Sequence, residues 1–209
     1  MSTWKEHVHP HGDLVELAEG LWTVTGSLPR SGLPRNMVLY RLRDGGLLIH
    51  SAVALDDRRL KELEGLGPPW ILVVPNSMHR ADAAVWRQRF PEMKVCCPPA
   101  ARQAVSKVVE VDEIDADLLA EEGITCHGPT GEWEHVYELP LVSGVALCCT
   151  DLLFNIEEHL PGVAGFIAQH VTASTGFFGV TRLGRLFMWA RPMPFEDGWR
   201  SRASGMTSA

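Results

Sequence analysis

The chain has 209 residues, a formal charge of −7 and a pI near 5.7. With 45% apolar residues, 22% charged residues and seven Trp, it can bury a sizeable core, which excludes a disordered chain. No Lys/Arg run stands out, so nucleic acid is not an expected partner, and no apolar run is long enough to span a bilayer.

In chain order, residues 1–12 read as a flexible N-terminal tail. Its His7, His9 and His11 form a comb that Pro10 interrupts, and its first residues lack the apolar core of a signal peptide. Two hairpins follow. Strands at 14–17 and 21–25 flank a Glu19-Gly20 turn, and strands at 37–42 and 47–50 flank Asp44-Gly45-Gly46. Asp56 caps a helix with Leu60 and Leu63 on one face, and Gly67-Pro68-Pro69 stops it. A strand at 70–74, a helix near 82–90 and a strand at 93–97 come next. The helix carries a stripe of Val85, Trp86 and Phe90.

Pro98-Pro99 opens a short helix over 99–107, and strands are expected at 108–115, 124–126 and 135–139. Val145-Ala-Leu-Cys-Cys149 reads as a buried strand by its continuous apolarity. Helices near 158–171 and 181–190 close the pattern, and the Gly/Ser-rich 197–209 is a flexible C-terminal tail. The whole of 1–209 reads as a single domain. The five cysteines include two adjacent pairs and no Cys-x-x-Cys. They read as reduced thiols of a cytoplasmic protein, one of each pair facing the core.

The segment Trp70-Ile-Leu-Val-Val-Pro-Asn-Ser-Met-His-Arg-Ala-Asp82 carries a buried strand into a polar turn and a helix. Together with Gly45-Gly-Leu-Leu-Ile-His-Ser-Ala-Val-Ala-Leu55 and Cys149-Thr-Asp-Leu-Leu-Phe-Asn155, it resembles the metallo-β-lactamase superfamily. The resemblance covers residues 14–155 and is strongest to a branch of unknown function, the DUF4336-like proteins. It implies an α/β fold, the metallo-β-lactamase-like αββα sandwich. The fold would be shortened at the C-terminus, because the usual last strand ending in His-Gly is missing after Trp189.

In that superfamily a His-x-His-x-Asp-His motif follows the strand and holds metal. Starting the frame at Asn76 fills its other slots with Met78, Arg80 and Ala81. Starting at Ser77 brings in only His79 and Asp82, and starting at Met78 brings in Arg80 and Asp82. The resemblance places a metal-bridging role on Asp151 and a strand histidine at His127. The candidate metal ligands are therefore His79, Asp82, His127 and Asp151, and they would hold one divalent ion (zinc, iron or manganese) or none. Plainer roles compete: a loop histidine at His79, a helix N-cap at Asp82 and a turn residue at Asp151.

A second candidate set, His50, Asn76, His79 and Arg80, would bind a small anion at the start of the helix after the strand. No Gly-x-Ser-x-Gly elbow surrounds Ser51, Ser77 or Ser143. The apolar stretch 163–193 offers cleft packing or a homodimer surface. The leading expectation is a member that has lost most metal ligands and is non-catalytic or binds a small anion. The alternative is a mono-metal hydrolase that acts on a small ester, thioester or phosphodiester through a metal-activated water.

Overall fold

The computed structural model describes residues 3–28, 34–128, 134–156 and 177–179. The chain divides into two compact units, residues 1–148 and 149–209.

The first unit is built on a seven-stranded sheet whose strands lie in chain order. Strands β1 (Val15–Ala18), β2 (Leu21–Ser27), β3 (Pro34–Arg41) and β4 (Leu47–His50) pair antiparallel through the two expected hairpins. Gly20 at φ +81° and Gly45 at φ +90° make the turns, a conformation that costs a side chain-bearing residue energy. Strands β5 (Pro69–Val73), β6 (Lys94–Cys97) and β7 (Glu113–Ile114) then add in parallel to β4. The crossovers are helices α2 (Asp57–Leu66) and α3 (Ala83–Arg89), and then a 3₁₀ turn at Pro99–Ala101 running into α4 (Arg102–Val105). Asp56 caps α2 through the Arg59 N–H, as its sequence position implies.

A second sheet of β8 (Thr125–His127), β9 (Val136–Leu141) and β10 (Gly144–Cys148) is antiparallel in the order β10-β9-β8. Between the sheets in sequence lies α5 (Asp115–Glu121). The parallel strands alternate between two cores because successive side chains point to opposite faces. Leu47, Ile49, Leu72, Val95 and Cys97 pack with Leu60, Leu63 and Trp86 from the helices. Leu48, Ile71, Val73 and Cys96 pack with Leu118 and Leu119 of α5 and with Tyr137 and Leu139 of the second sheet. The Tyr40 hydroxyl donates to the Pro140 carbonyl at 2.7 Å and ties one sheet to the other. The layers are helix, sheet and sheet, an α/β arrangement. The helices expected at 158–171 and 181–190 lie outside the described residues, as do the 197–209 tail and the region after Trp189.

Several details differ from the sequence reading. Residues 3–12 are not a loose tail. They carry α1 (Trp4–His7), whose Trp4 ring meets Trp86 edge-on at 5.4 Å and donates its N–H to the Leu55 carbonyl at 2.8 Å. A half-buried aromatic ring with its N–H satisfied anchors even a terminal segment. Only Glu113–Ile114 of the expected strand 108–115 pairs, and the helix that follows it was not anticipated. Strand β10 is an edge strand. Val145 is 61% and Leu147 49% exposed, so apolarity alone did not imply burial. Cys96 and Cys97 are both buried, since β6 is covered on both faces. Among the described residues no disulfide forms, and no helix is long and apolar enough to cross a membrane.

In the second unit, β11 (Phe154–Ile156) pairs antiparallel with β12 (Phe177–Gly179). The two phenylalanines of β12 thus belong to a strand, while the rest of 163–193 lies outside the described residues.

Trp86 sits at 0% exposure, packs on Trp4 and Phe90, and donates its indole N–H to Val53. Trp86→Ala should lower unfolding free energy by about 3–5 kcal/mol, read as the midpoint shift in urea. A loss below about 1 kcal/mol would show that α1 and α3 do not share this core.

Candidate functional site

Parallel strands end on a common edge, and ligand sites of open α/β sheets form outside the carboxyl ends of such strands. Here that edge gathers His50 at the end of β4, Ser51 just after it, the 74–82 loop after β5, and Asp115 after β7. The second sheet brings Glu134 and His135 to the start of β9 and Cys148 to the end of β10.

The loop after β5 is held by its own side chains. The Asn76 Oδ1 accepts the backbone N–H of Met78 at 2.8 Å and of His79 at 3.2 Å, an Asx turn. Its amide nitrogen lies 3.4 Å from Glu134 Oε2, and both residues are buried. His79 Nδ1 lies 2.7 Å from the Ser51 hydroxyl. Ser51 is buried with φ at +58°, a left-handed conformation that a non-glycine residue adopts at a cost and that clusters at functional sites. Arg80 donates to the carbonyl of Ala104 in α4, and it precedes a helix of only seven residues. The expected anion site at a helix start therefore has no long helix behind it.

His50 is buried completely. Its Nδ1 lies 3.4 Å from the Cys148 thiol, and its ring meets Tyr137 edge-on at 5.2 Å. Its Nε2 has no hydrogen-bond partner among the described residues. Burial first, and the neighbouring His79 second, push its pKa from 6.5 down to about 3, so it is neutral near pH 7.

Asp82 goes elsewhere. Its side chain makes no cap bond to α3, in contrast to the N-cap reading. The buried carboxylate instead pairs with Arg35 of β3, accepts the Ala54 N–H at 3.0 Å and lies 2.9 Å from His7 Nδ1. The resemblance to the metallo-β-lactamase superfamily implied a divalent ion at this loop. Asn76, Met78, Arg80 and Ala81 stand in the expected frame without a ligand set, and a guanidinium already neutralises Asp82.

His127 stands 3.0 Å from Glu138 Oε1, a diagonal neighbour across the β8–β9 ladder. The opposite face of the same ladder carries Cys126 directly across from Tyr137. Asp151 lies in the second unit, half-buried in the bend before β11. The structure therefore brings Asn76 and His79 together beside Ser51, with His50 close by, and sets Asp82 and His127 in other surroundings.

Residues the sequence reading passed over form the other half of the edge. Asp115, fully buried, accepts from the Tyr137 hydroxyl at 2.7 Å and lies 2.7 Å from His135 Nδ1. Cys126 completes a group with Asp115 and His135 in which one ligand atom from each lies within 4.8 Å of the others. Burial first and Asp115 second push the Cys126 thiol up to about 12. Gly128 lies against the His135 ring so closely that no side chain fits there. No spacing motif marks these residues. The one signal was the run Glu132-Trp-Glu-His135, polar groups placed just before a strand.

The fold is similar to solved metallo-β-lactamases. The structure of DIM-1 metallo-β-lactamase superposes with a TM-score of 0.55 at 11% identity, over 82% of this chain and 93% of that one. TMB-1 gives 0.53 at 11% identity, over 85% and 95%. FIM-1 from Pseudomonas aeruginosa, in a mono-zinc form, gives 0.49 at 14% identity; 64% of this chain spans 66% of that one. No family model matches the sequence, and no curated protein is similar to it. At these identities the likeness establishes the metallo-β-lactamase-like fold alone.

Two outcomes follow from this geometry. Arg35→Met leaves Asp82 buried without its guanidinium and should cost on the order of 3–5 kcal/mol in urea unfolding. An Asp82→Leu change added to it should recover part of that loss. No loss in Arg35→Met would refute the clamp. His50 binds its proton less well folded than unfolded, so its contribution to stability is undiminished above pH 6.5 and erodes as pH falls towards about 3. Between pH 7 and 4.5 the wild type should lose more stability than His50→Asn, and parallel curves would contradict the assignment.

Proposed function

We propose that the chain is a non-catalytic metallo-β-lactamase-like protein of the DUF4336-like type, and that it binds a small carboxylate or phosphate on the edge formed by Ser51, Asn76, His79 and Arg80. The observation that carries this reading is the capture of Asp82 by Arg35, His7 and the Ala54 N–H. A loop that binds its own acid to an internal cation leaves no carboxylate for a divalent ion. What remains is donor-rich: the Ser51 hydroxyl, the His79 imidazole and the Arg80 guanidinium, with the unpartnered His50 Nε2 buried close by.

A second reading rests on a separate observation, the Asp115, Cys126 and His135 group. It is the mono-metal hydrolase of a small ester, thioester or phosphodiester, with a metal-activated water as nucleophile.

Calorimetry with inorganic phosphate and with acetate tests the first reading. One of them should bind one per chain, and His79→Ala and Arg80→Ala should each weaken it by roughly tenfold. No saturable binding of either probe, or binding indifferent to both changes, would overturn it.

A further inference from the structure

We propose that Asp115, Cys126 and His135 bind one zinc ion. The inference deepens the hydrolase reading by naming its metal site, and it does not depend on the anion reading. A protein that loads zinc here and hydrolyses nothing would sink that activity and leave the site standing.

The first argument is geometric. The three residues come from three segments: the first turn of α5, the middle of β8 and the residue before β9. Their ligand atoms nevertheless lie within 4.8 Å of one another. Zinc bonds of about 2.0–2.3 Å in a tetrahedron set neighbouring ligand atoms roughly 3.3–3.7 Å apart. The group needs to close by no more than about an ångström, while the 2.7 Å contact between Asp115 and His135 opens as the ion replaces its proton. Three protein ligands leave a fourth position for water, as open zinc sites do.

The second argument is charge. Among the described residues, two aspartates are completely or almost completely buried. Asp82 is matched by the guanidinium of Arg35. Asp115, at 0% exposure, meets no Lys or Arg among the described residues; its ion-pair partner is His135. A divalent ion held by one carboxylate, one thiolate and a neutral imidazole carries no net charge. That is the cheapest way to keep such a group in a low-dielectric interior.

The third argument is the donor set. A thiolate with an imidazole selects zinc over magnesium or calcium, which take oxygen ligands. The Tyr137 hydroxyl holds Asp115 Oδ2 at 2.7 Å, the outer contact that aims a metal-binding carboxylate. Gly128 leaves room for the His135 ring where any larger residue would displace it.

The full chain, stripped with chelator, should take up one equivalent of zinc against a chromophoric competitor. Loaded with cobalt(II) instead, the wild type should show a thiolate-to-metal charge-transfer band and the visible bands of a tetrahedral ion. Cys126→Ser should abolish the charge-transfer band, and Cys126→Ser and His135→Ala should each weaken zinc by about tenfold or more. His127→Ala, on the other face of the ladder, and His9→Ala, in the N-terminal comb, should leave it unchanged. Absence of saturable zinc uptake would overturn the proposal, as would a cobalt spectrum without thiolate character. So would an affinity that follows His9 or His127 rather than Cys126. The wild-type cobalt spectrum requires no variant, so a misfolded substitution cannot shelter the idea.

Discussion

A carboxylate taken out of water must be matched by a cation and hydrogen bonds, or it gives up its charge. Asp82 meets that demand with the Arg35 guanidinium, the Ala54 N–H and His7. Those partners come from β3, from the segment between β4 and α2, and from α1, so a single side chain ties four parts of the first unit together. The same arrangement sets the character of the loop after β5. Once Asp82 is turned to an internal cation, the loop closes on itself through Asn76, and His79 turns to Ser51. Asp82 is thereby part of the scaffold.

The second sheet meets the same physical demand differently. Asp115 relies on a tyrosine hydroxyl and a histidine, and the Cys126 thiol lies beside them. Tyr137 connects the two regions, with its ring against His50 and its hydroxyl on Asp115. The neutral His50 and the group of Asp115, Cys126 and His135 therefore share one wall. In the larger sheet, the parallel strands aim all of this at one edge, because each crossover helix returns the chain to start the next strand in the same direction.

Much of the fold was legible in the residues. Gly20 and Asp44-Gly45-Gly46 announce their turns because few residues tolerate positive φ, and Asp56 announces a helix because its side chain can satisfy an orphan N–H. Where local signals were short, they failed. Helix α5 spans seven residues, too few to display a period, although its acidic first turn and the buried Leu118 and Leu119 explain it in retrospect. Strand β10 is as apolar as a core strand, yet it sits at an edge, and nothing local to it says which neighbours it will have. Along the candidate edge, His50, Asn76 and His79 lie at or after strands that could be recognised from their apolar runs, whereas no local pattern marks Asp115, Cys126 and His135. Cys126 and His127 are neighbours in sequence, yet they face opposite sides of the ladder, because on a strand one residue of offset exchanges faces. That Tyr137 stands across from Cys126 is a matter of strand register.

The sequence by itself determined the alternation of strands and helices, the two hairpins and the helix cap at Asp56. Each of these depends on residues near one another in the chain, where propensity, periodicity and turn chemistry act. Only the tertiary structure decided that Arg35 and His7 take Asp82, across 47 and 75 residues, and that Asp115 meets Cys126, His135 and Tyr137. Such meetings are set by strand register and by how the sheets stack. Both are fixed by burying two cores at once rather than by any local signal, and so the chemistry of the site came into view only with the packed molecule.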